Sequence, residues 1–316
     1  MSKAILLFST GLDSFLVYQI LKRMGIEVIV LVIKTPFNKI NEEILKEIEK
    51  EAKVIVHEAK EDYLEIIKNP KFGYGKQMNP CIDCKIYMYK IAKKYLEKEN
   101  ADFIATGEVL GQRKFSQTLD KLKLIEKEAN VENLVVRPLS GKLLPQTLPE
   151  KKGLIKRENL LDIKGRSRKR QLELIKELSI ENFPKPSAGC LLTDPVFSKR
   201  LKDLIKNNPN FSLEEVELLK IGRHFRIENS KLILGRNEKE NKVLEKMKNY
   251  IILKPKNKGP IGIFIGNEKN LEIAIEILAS YCKDEKIFVE VIKGEIVKEV
   301  EVKRKSKEEF KKFLIH

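Results

Sequence analysis

No apolar run in this 316-residue sequence approaches the roughly 18 residues that a membrane-spanning helix needs. No secretory leader opens it either, because the first apolar stretch, Ile5 to Phe8, leads straight into a turn. A cytoplasmic protein with no membrane partner is therefore expected. Cysteine is scarce: four thiols in a chain of this length argue against a disulfide scaffold and for metal or sulfur chemistry. Acidic residues fall short of basic ones, 46 against 62, leaving a formal net charge of +16. Such an excess suits a polyanionic partner such as nucleic acid, and equally a Lys- and Glu-rich, thermophile-like surface of the kind seen from Glu42 to Lys53. Two nucleotide signatures are missing as well, since neither G-x-x-x-x-G-K-S/T nor G-x-G-x-x-G occurs.

What is present begins with Phe8-Ser9-Thr10-Gly11-Leu12-Asp13-Ser14, placed where the apolar run Ala4 to Phe8 stops and an amphipathic run, Phe15 to Met24, begins. That order reads as strand, tight turn and helix. A small turn lets backbone N–H groups close around an anion, the helix start adds its positive dipole end, and Ser9, Thr10 and Ser14 add hydroxyl donors. The stretch reads as a phosphate cradle, with an ordinary strand-to-helix connection as the plain alternative.

From residue 2 to about 180, strand-like and helix-like runs alternate. Strands are expected at Lys3 to Phe8, Glu27 to Ile33, Lys53 to His57, Asp102 to Thr106 and Leu134 to Arg137; helices at Phe15 to Met24, Ile40 to Glu51, Tyr63 to Lys68, Ile86 to Lys98 and Ser167 to Leu178. Near-continuous Ile, Val and Leu strands separated by helices imply an α/β fold, a doubly wound parallel sheet covered on both faces. Ligands bind such sheets at the carboxyl ends of the strands. Past Pro209 the pattern changes to short strands with a few helices. The length allows two domains, expected at 1–211 and at 212–316, the second a smaller α+β module.

Three further motifs fall at strand ends or in loops. Asn79-Pro80-Cys81-Ile82-Asp83-Cys84 stands directly before the expected helix at Ile86. Cysteines at C-x-x-C spacing there can aim at one centre, and a helix start favours thiolate. Cys190 lies in Pro186-Ser187-Ala188-Gly189-Cys190-Leu191, again a Pro- and Gly-containing loop. The C-x-x-C pair alone suits a zinc half-site, a redox disulfide or part of an iron–sulfur ligand set; with Cys190 and no nearby His, three soft ligands suit a cluster with one open iron better than closed zinc. Cys282, inside an apolar helical run, reads as a buried small hydrophobe. After the fourth strand come Ala105-Thr106-Gly107-Glu108-Val109-Leu110-Gly111-Gln112 and Phe115-Ser116-Gln117-Thr118-Leu119, dense in polar groups fit to line a nucleotide pocket.

The first stretch resembles the S-G-G-x-D-S pyrophosphate loop of the PP-loop ATPases, with Thr10 in place of the second Gly. Together, S-x-G-x-D-S, N-P-C-x-x-C and T-G-E-x-x-G-Q followed by S-Q-T-L resemble the catalytic domain of the tRNA 4-thiouridine synthetases over about residues 1 to 195. The related tRNA 2-thiouridylases have T-G-H where this chain has Thr106-Gly107-Glu108. The resemblance implies an adenine nucleotide alpha hydrolase-like domain in which Phe8, Ser9, Thr10, Gly11, Asp13 and Ser14 hold the pyrophosphate end of ATP with Mg2+. Thr106, Gly107, Glu108 and Gln112 would lie beside the adenylate. Catalysis would rest on Asp13, Cys81, Cys84 and Cys190, the three cysteines holding an iron–sulfur cluster, expected as 4Fe–4S, whose open iron takes the sulfur. In other members two cysteines do persulfide chemistry instead.

RNA contacts are expected at Arg166, Arg168, Lys169 and Arg170, four cations at a helix start where the dipole disfavours them. Arg223-His224-Phe225-Arg226 and the stretch from Leu234 to Asn241, which holds Arg236, loosely resemble the NFACT RNA-binding domain and offer cations around an aromatic. The plain alternative is a dimerisation or lid module, which keeps a homodimer in view. The 4-thiouridine synthetases carry an RNA-binding extension ahead of this domain, whereas here the phosphate loop begins at residue 9. RNA recognition is therefore expected from the C-terminal module or a partner. The expected activity is ATP-dependent tRNA thiolation, with tRNA and a sulfur donor, sulfide or a persulfide carrier, as partners. The alternatives are a PP-loop enzyme acting on a small molecule and a non-catalytic, zinc-containing RNA-binding protein.

Overall fold

The computed structural model describes residues 1–185 and 189–315, so Pro186, Ser187 and Ala188 of the Cys190 loop lie outside the described residues. The chain divides into two units, Met1–Thr193 and Asp194–His316.

The first unit runs β1 (Lys3–Leu7), α1 (Leu12–Arg23), β2 (Glu27–Lys34), α2 (Glu42–Glu49), β3 (Val54–Glu58), α3 (Glu61–Lys68), α4 (Cys81–Lys98), β4 (Phe103–Thr106), α5 (Leu119–Glu128), β5 (Val135–Val136), α6 (Leu148–Lys151) and α7 (Lys169–Glu177). Its five strands are ordered β3-β2-β1-β4-β5 and all pair in parallel. The apolar character of both strand faces has its reason here. Ala4 and Leu6 of β1 pack with Val28, Val30 and Val32 of β2 under α1, α2 and α7. Ile5, Ile29, Leu31 and Ile33 point the other way, against Ile82, Ile86, Tyr89 and Ala92 of α4 and Ile125 of α5. Alternate residues thus serve two cores, as the two-residue period of a strand dictates. The strand order reverses between β1 and β4, where Leu7 pairs with Thr106, which opens a crevice beyond their carboxyl ends.

Among the differences from the sequence reading, two lie beside the candidate motifs. Helix α4 begins at Cys81, not Ile86, so the C-x-x-C pair forms its first turn. Pro80 takes the N-cap position, and Asp83 turns back to accept from the backbone N–H groups of Lys71 (2.9 Å) and Phe72 (3.1 Å), pinning the preceding loop onto the helix. Helix α5 begins at Leu119, the last residue of the polar stretch, and runs through residues to which the sequence reading assigns no element, although Leu119, Leu122 and Ile125 have helical spacing.

The second unit runs α8 (Pro195–Asn207), α9 (Leu213–Leu218), β6 (Arg223–Ile227), β7 (Ser230–Leu234), α10 (Glu238–Leu244), β8 (Ile251–Pro255), β9 (Gly262–Ile265), α11 (Leu271–Ser280), β10 (Lys286–Lys293) and β11 (Ile296–Lys303). Its six strands, ordered β11-β10-β8-β9-β7-β6, are antiparallel throughout. One face packs on α11, with Phe225, Leu232, Phe264 and Val289 against Ala274, Ile277 and Leu278. The other packs Ile233, Ile252 and Ile263 on Leu218 of α9 and Leu244 of α10. Cys282 is buried in the first of these cores, as expected.

This unit starts at Asp194, ahead of the composition change near residue 212, because α8 belongs to it. Asp194 caps α8 by accepting from the Phe197 N–H at 2.7 Å. From α8, Asp203 accepts two hydrogen bonds from Arg226 (2.8 and 2.6 Å) and one from the buried Lys231 (3.3 Å). Burial pulls the Lys231 ammonium down to about 8, and Asp203 offsets only part of that. Asp203→Asn is expected to leave two cations unanswered and cost about 3 kcal/mol in chemical denaturation of the full chain, with Lys231→Met restoring part of the loss.

Candidate functional site

The turn between β1 and α1 is strained and crosslinked. Thr10 adopts φ +54, a region a β-branched residue avoids, at the position where the resembled loop has Gly. Its side chain is buried, and its Oγ1 accepts from the Asn41 N–H at 2.9 Å, so the loop after β2 holds the strained residue in place. Ser14 Oγ donates to the Gly11 carbonyl (3.0 Å) and lies 3.2 Å from both the N–H and Oγ of Ser9, folding the turn on itself. Phe8 contributes backbone only, because its ring is buried in the core.

Gly107, after β4, abuts this turn. A Cβ there would sit 2.5 Å from the Ser14 nitrogen and 2.7 Å from the Asp13 carbonyl carbon, so only glycine permits the approach. Asp13 receives hydrogen bonds from the side-chain amides of Gln112 and Gln171, both at 3.2 Å, and Arg168 lies 3.6 Å from it. Gln171, on α7, is fully buried, and its Oε1 has no partner among the described residues. A bridge between Leu110 and Lys164, with the Gly165 N–H donating to Leu110 O at 2.8 Å, brings the 164–171 segment to this edge. The four cations expected to grip RNA therefore part company. Arg168 turns to Asp13, Arg170 is tied to Glu173 and Glu177, and Arg166 and Lys169 are exposed.

Glu108 does not face open space. Its buried carboxylate takes the Tyr89 hydroxyl (2.6 Å), Arg137 Nε (2.9 Å) and the Lys85 ammonium, and Arg137 also binds Glu126. Burial by itself would raise the Glu108 carboxyl; Lys85 and Arg137 outweigh it and hold it at about 2. The network joins α4, the β4 turn, the end of β5 and α5.

The three cysteines converge. Cys81 Sγ lies 3.2 Å from Ser116 Oγ, Tyr63 donates its hydroxyl to Cys84 Sγ at 3.0 Å, and the Cys190 loop is pinned by Leu191 N–H to Phe37 O (3.0 Å) and Met78 N–H to Leu192 O (3.1 Å). Desolvation pushes the Cys84 thiol up to about 12, with Cys81 and Cys190 adding to the rise and Tyr63 and Lys85 opposing it. Cys190 is raised too, by desolvation first and then by Cys81, with Arg113 opposing. For Cys84, desolvation thus reverses the lowering expected from a helix start. Among the described residues, no group of three or more His, Cys, Asp or Glu is drawn together tightly enough to hold a single metal ion.

Lys85, Tyr89, Arg137, Gln171 and Tyr63 were not singled out in the sequence. Their signals are faint: Lys85 follows Cys84 directly and Tyr89 lies one turn further on, but only the fold brings Arg137 and Gln171 to the same edge.

In the second unit the expected RNA-contact residues are mostly occupied. Arg226 is paired with Asp203 and Arg236 with Glu240, and Phe225 is buried in the core. Arg223 has no carboxylate partner among the described residues; its guanidinium lies 5.0 Å from the centre of the Tyr281 ring.

No helix among the described residues is long and apolar enough to cross a membrane. Residues 1–143 match the family described as thiamine biosynthesis protein (ThiI), and residues 222–314 match the NFACT protein RNA binding domain. A relative from Methanocaldococcus jannaschii, described as a probable tRNA sulfurtransferase, is 33% identical over 144 residues, which is 44% of this chain and 37% of that protein. The chain thus spans little more than a third of that relative's length. Among solved structures, a 4-thiouridine synthetase in complex with RNA and ATP is similar at 22% identity and TM-score 0.36, covering 68% of this chain and 53% of that one. A chain described as a predicted subunit of tRNA methyltransferase from Methanocaldococcus jannaschii is similar at 18% identity and TM-score 0.33, covering 60% and 98%. NMN synthetase from Francisella tularensis gives 16%, TM-score 0.29, and coverages of 56% and 83%.

The Glu108 network sets an acid limit on stability. Folded Glu108 takes up its proton near pH 2, the unfolded residue near 4.5. Between those values the unfolded chain binds more protons, so the contribution is complete above pH 4.5 and lost as pH falls towards 2. Glu108→Gln is expected to cost about 3 kcal/mol at neutral pH, with the gap to the parent shrinking on acidification. Urea unfolding at neutral pH and near pH 2.5 checks this; a gap that stays constant would contradict it.

Proposed function

We propose that the chain is an ATP-dependent tRNA thiolation enzyme. What supports this reading is the approach, at one sheet edge, of a turn with the form of a phosphate cradle and three thiols, linked through Lys85 and Glu108. The homology of the first 143 residues and the RNA-binding match of the last third support the substrate class.

In this reading the β1–α1 turn and the α1 N-terminus receive the ATP phosphates, and Asp13, held by Gln112, Gln171 and Arg168, orients the triphosphate and its Mg2+. A uridine carbonyl oxygen attacks the α-phosphorus and pyrophosphate departs. Sulfur then bonds to the activated carbon and AMP leaves with the former carbonyl oxygen. With hydrosulfide as donor the exchange is redox-neutral. The protein's share is alignment and charge neutralisation.

The donor set around Cys81, Cys84 and Cys190 suits an iron–sulfur cluster. It is soft, made of three thiols, and the neighbouring sulfurs raise the proton affinity of Cys84 and Cys190, which a bound cationic centre would reverse. A cluster also spans sulfurs set wider apart than the ligands of one ion. Bound there through three cysteines, it would supply an open iron as a sulfur-holding Lewis acid. Tyr63 would orient the Cys84 sulfur, and Ser116 the Cys81 sulfur.

Two variants separate the half-reactions. With tRNA, ATP and sulfide under anaerobic conditions, Asp13→Ala is expected to lower pyrophosphate release and thiouridine together, by about 10²-fold or more. Cys81→Ser is expected to abolish thiouridine while ATP binding persists. Retained thiolation in Cys81→Ser, or an undiminished AMP yield in Asp13→Ala, would overturn the assignment.

A further inference from the structure

We infer that Arg223, Tyr281 and Lys307 form a phosphate clamp for the RNA backbone in the second unit. This rests on the reading above that the unit contacts tRNA, and it names the place.

Among the described residues, many of the best-placed cations of this unit are already answered by carboxylates. Lys220, Arg226, Lys231, Arg236, Lys242 and Lys254 pair with Glu217, Asp203, Asp203, Glu240, Glu238 and Glu245. Two of the cations outside these pairs share a single ring, that of Tyr281. The Arg223 guanidinium stands 5.0 Å and the Lys307 ammonium 4.7 Å from the centre of its ring, and neither has a carboxylate within ion-pair distance among the described residues. They reach the ring from separate elements, Arg223 from β6 and Lys307 from the C-terminal turn, whereas Tyr281 caps α11. Such convergence is a product of folding and does not follow from a run of basic sequence.

The ring is a fixed post. Tyr281 is half-buried and packs edge-on against the buried Phe225 at 6.0 Å, and Arg223 also donates to the Gly235 carbonyl at 3.3 Å. Cation–π attraction holds both side chains near the ring with less freedom than a free surface lysine keeps. Two like charges on one post repel, and the α11 C-terminus offers only a partial negative charge in answer. An anion between them removes the repulsion. Two residues past Tyr281, the Lys283 carbonyl accepts from the Arg304 guanidinium at 2.6 Å, a further cation on the chain just beyond the ring. Cations presented on one ring from separate elements match a phosphodiester chain better than a small anion, which needs enclosing donors.

The test uses the full chain and tRNA, with anisotropy titrations across a salt series. Arg223→Gln and Lys307→Gln are each expected to weaken binding about three- to tenfold near 0.1 M salt. Each should also lower the slope of log K against log salt by about 0.7–0.9, one phosphate's worth. Tyr281→Leu is expected to reproduce both losses and Tyr281→Phe to restore them, with melting temperatures near the parent's. Lys242→Gln, already paired in the parent, is expected to leave the slope unchanged. Parent-like slopes in both Arg223→Gln and Lys307→Gln would overturn the clamp. Inorganic phosphate binding that needs both residues, with tRNA affinity unaltered, would make it a small-anion site and also overturn it. A parent chain that does not bind tRNA at low salt would instead remove the reading on which the clamp rests.

Discussion

A carboxylate taken out of water is tolerated only where cations and donors replace its hydration, and Glu108 meets that condition with Lys85, Arg137 and the Tyr89 hydroxyl. Four elements are tied by this one residue. Lys85 and Tyr89 stand on the helix whose first turn holds Cys81 and Cys84; Glu108 stands on the turn whose Gly107 abuts the phosphate loop; Arg137 ends β5; and Glu126, on α5, takes the other side of Arg137. If the carboxylate were lost, the helix that carries Cys81 and Cys84 and the segment after β4 would be left with the contacts to Ser116, Lys85 to its carbonyl at 3.4 Å and Cys81 to its hydroxyl at 3.2 Å. The network is therefore the frame on which a composite site depends. The acidic residue that favoured the 4-thiouridine branch in the sequence is, in the structure, buried and paired with Lys85, Arg137 and Tyr89.

The turn between β1 and α1 shows a second constraint. Thr10 sits in a left-handed conformation that costs on the order of 1–3 kcal/mol, and the surrounding fold must over-determine it. The Asn41 N–H bond to its hydroxyl and its burial do so. The same post-β2 loop offers Phe37 O to the Leu191 N–H beside Cys190. A single loop thus touches both the anion turn and the third cysteine, which gives the two chemical halves a common support.

The parallel sheet, its two-faced apolar strands and the convergence at the carboxyl edge were legible because they follow from periodicity, and periodicity is local. What was not legible is contact between distant residues. Gln171 and Arg168 reach Asp13 only because the Leu110–Lys164 bridge delivers them, so a basic run read as an RNA grip divides into site-facing, ion-paired and exposed members. Helix α8 carried its own signal, Asp194 before Pro195, an N-cap followed by a helix-starting proline, yet it was absorbed into the first domain. The C-x-x-C pair was placed just ahead of a helix and lies inside it, where loss of solvation governs Cys84 more than the helix dipole does. In the second unit the aromatic beside the cations is Tyr281, since alternation along β6 sends Phe225 into the core.

The central claim is that a uridine oxygen is exchanged for sulfur through an adenylated intermediate. It is tested most directly by following that oxygen. A tRNA transcribed with 18O at the carbonyl of its uridines, incubated anaerobically with the full chain, ATP and sulfide, is expected to yield thiouridine and an equal amount of AMP carrying 18O in its phosphate. Thiouridine accompanied by unlabelled AMP, or by ADP and orthophosphate, would contradict the account.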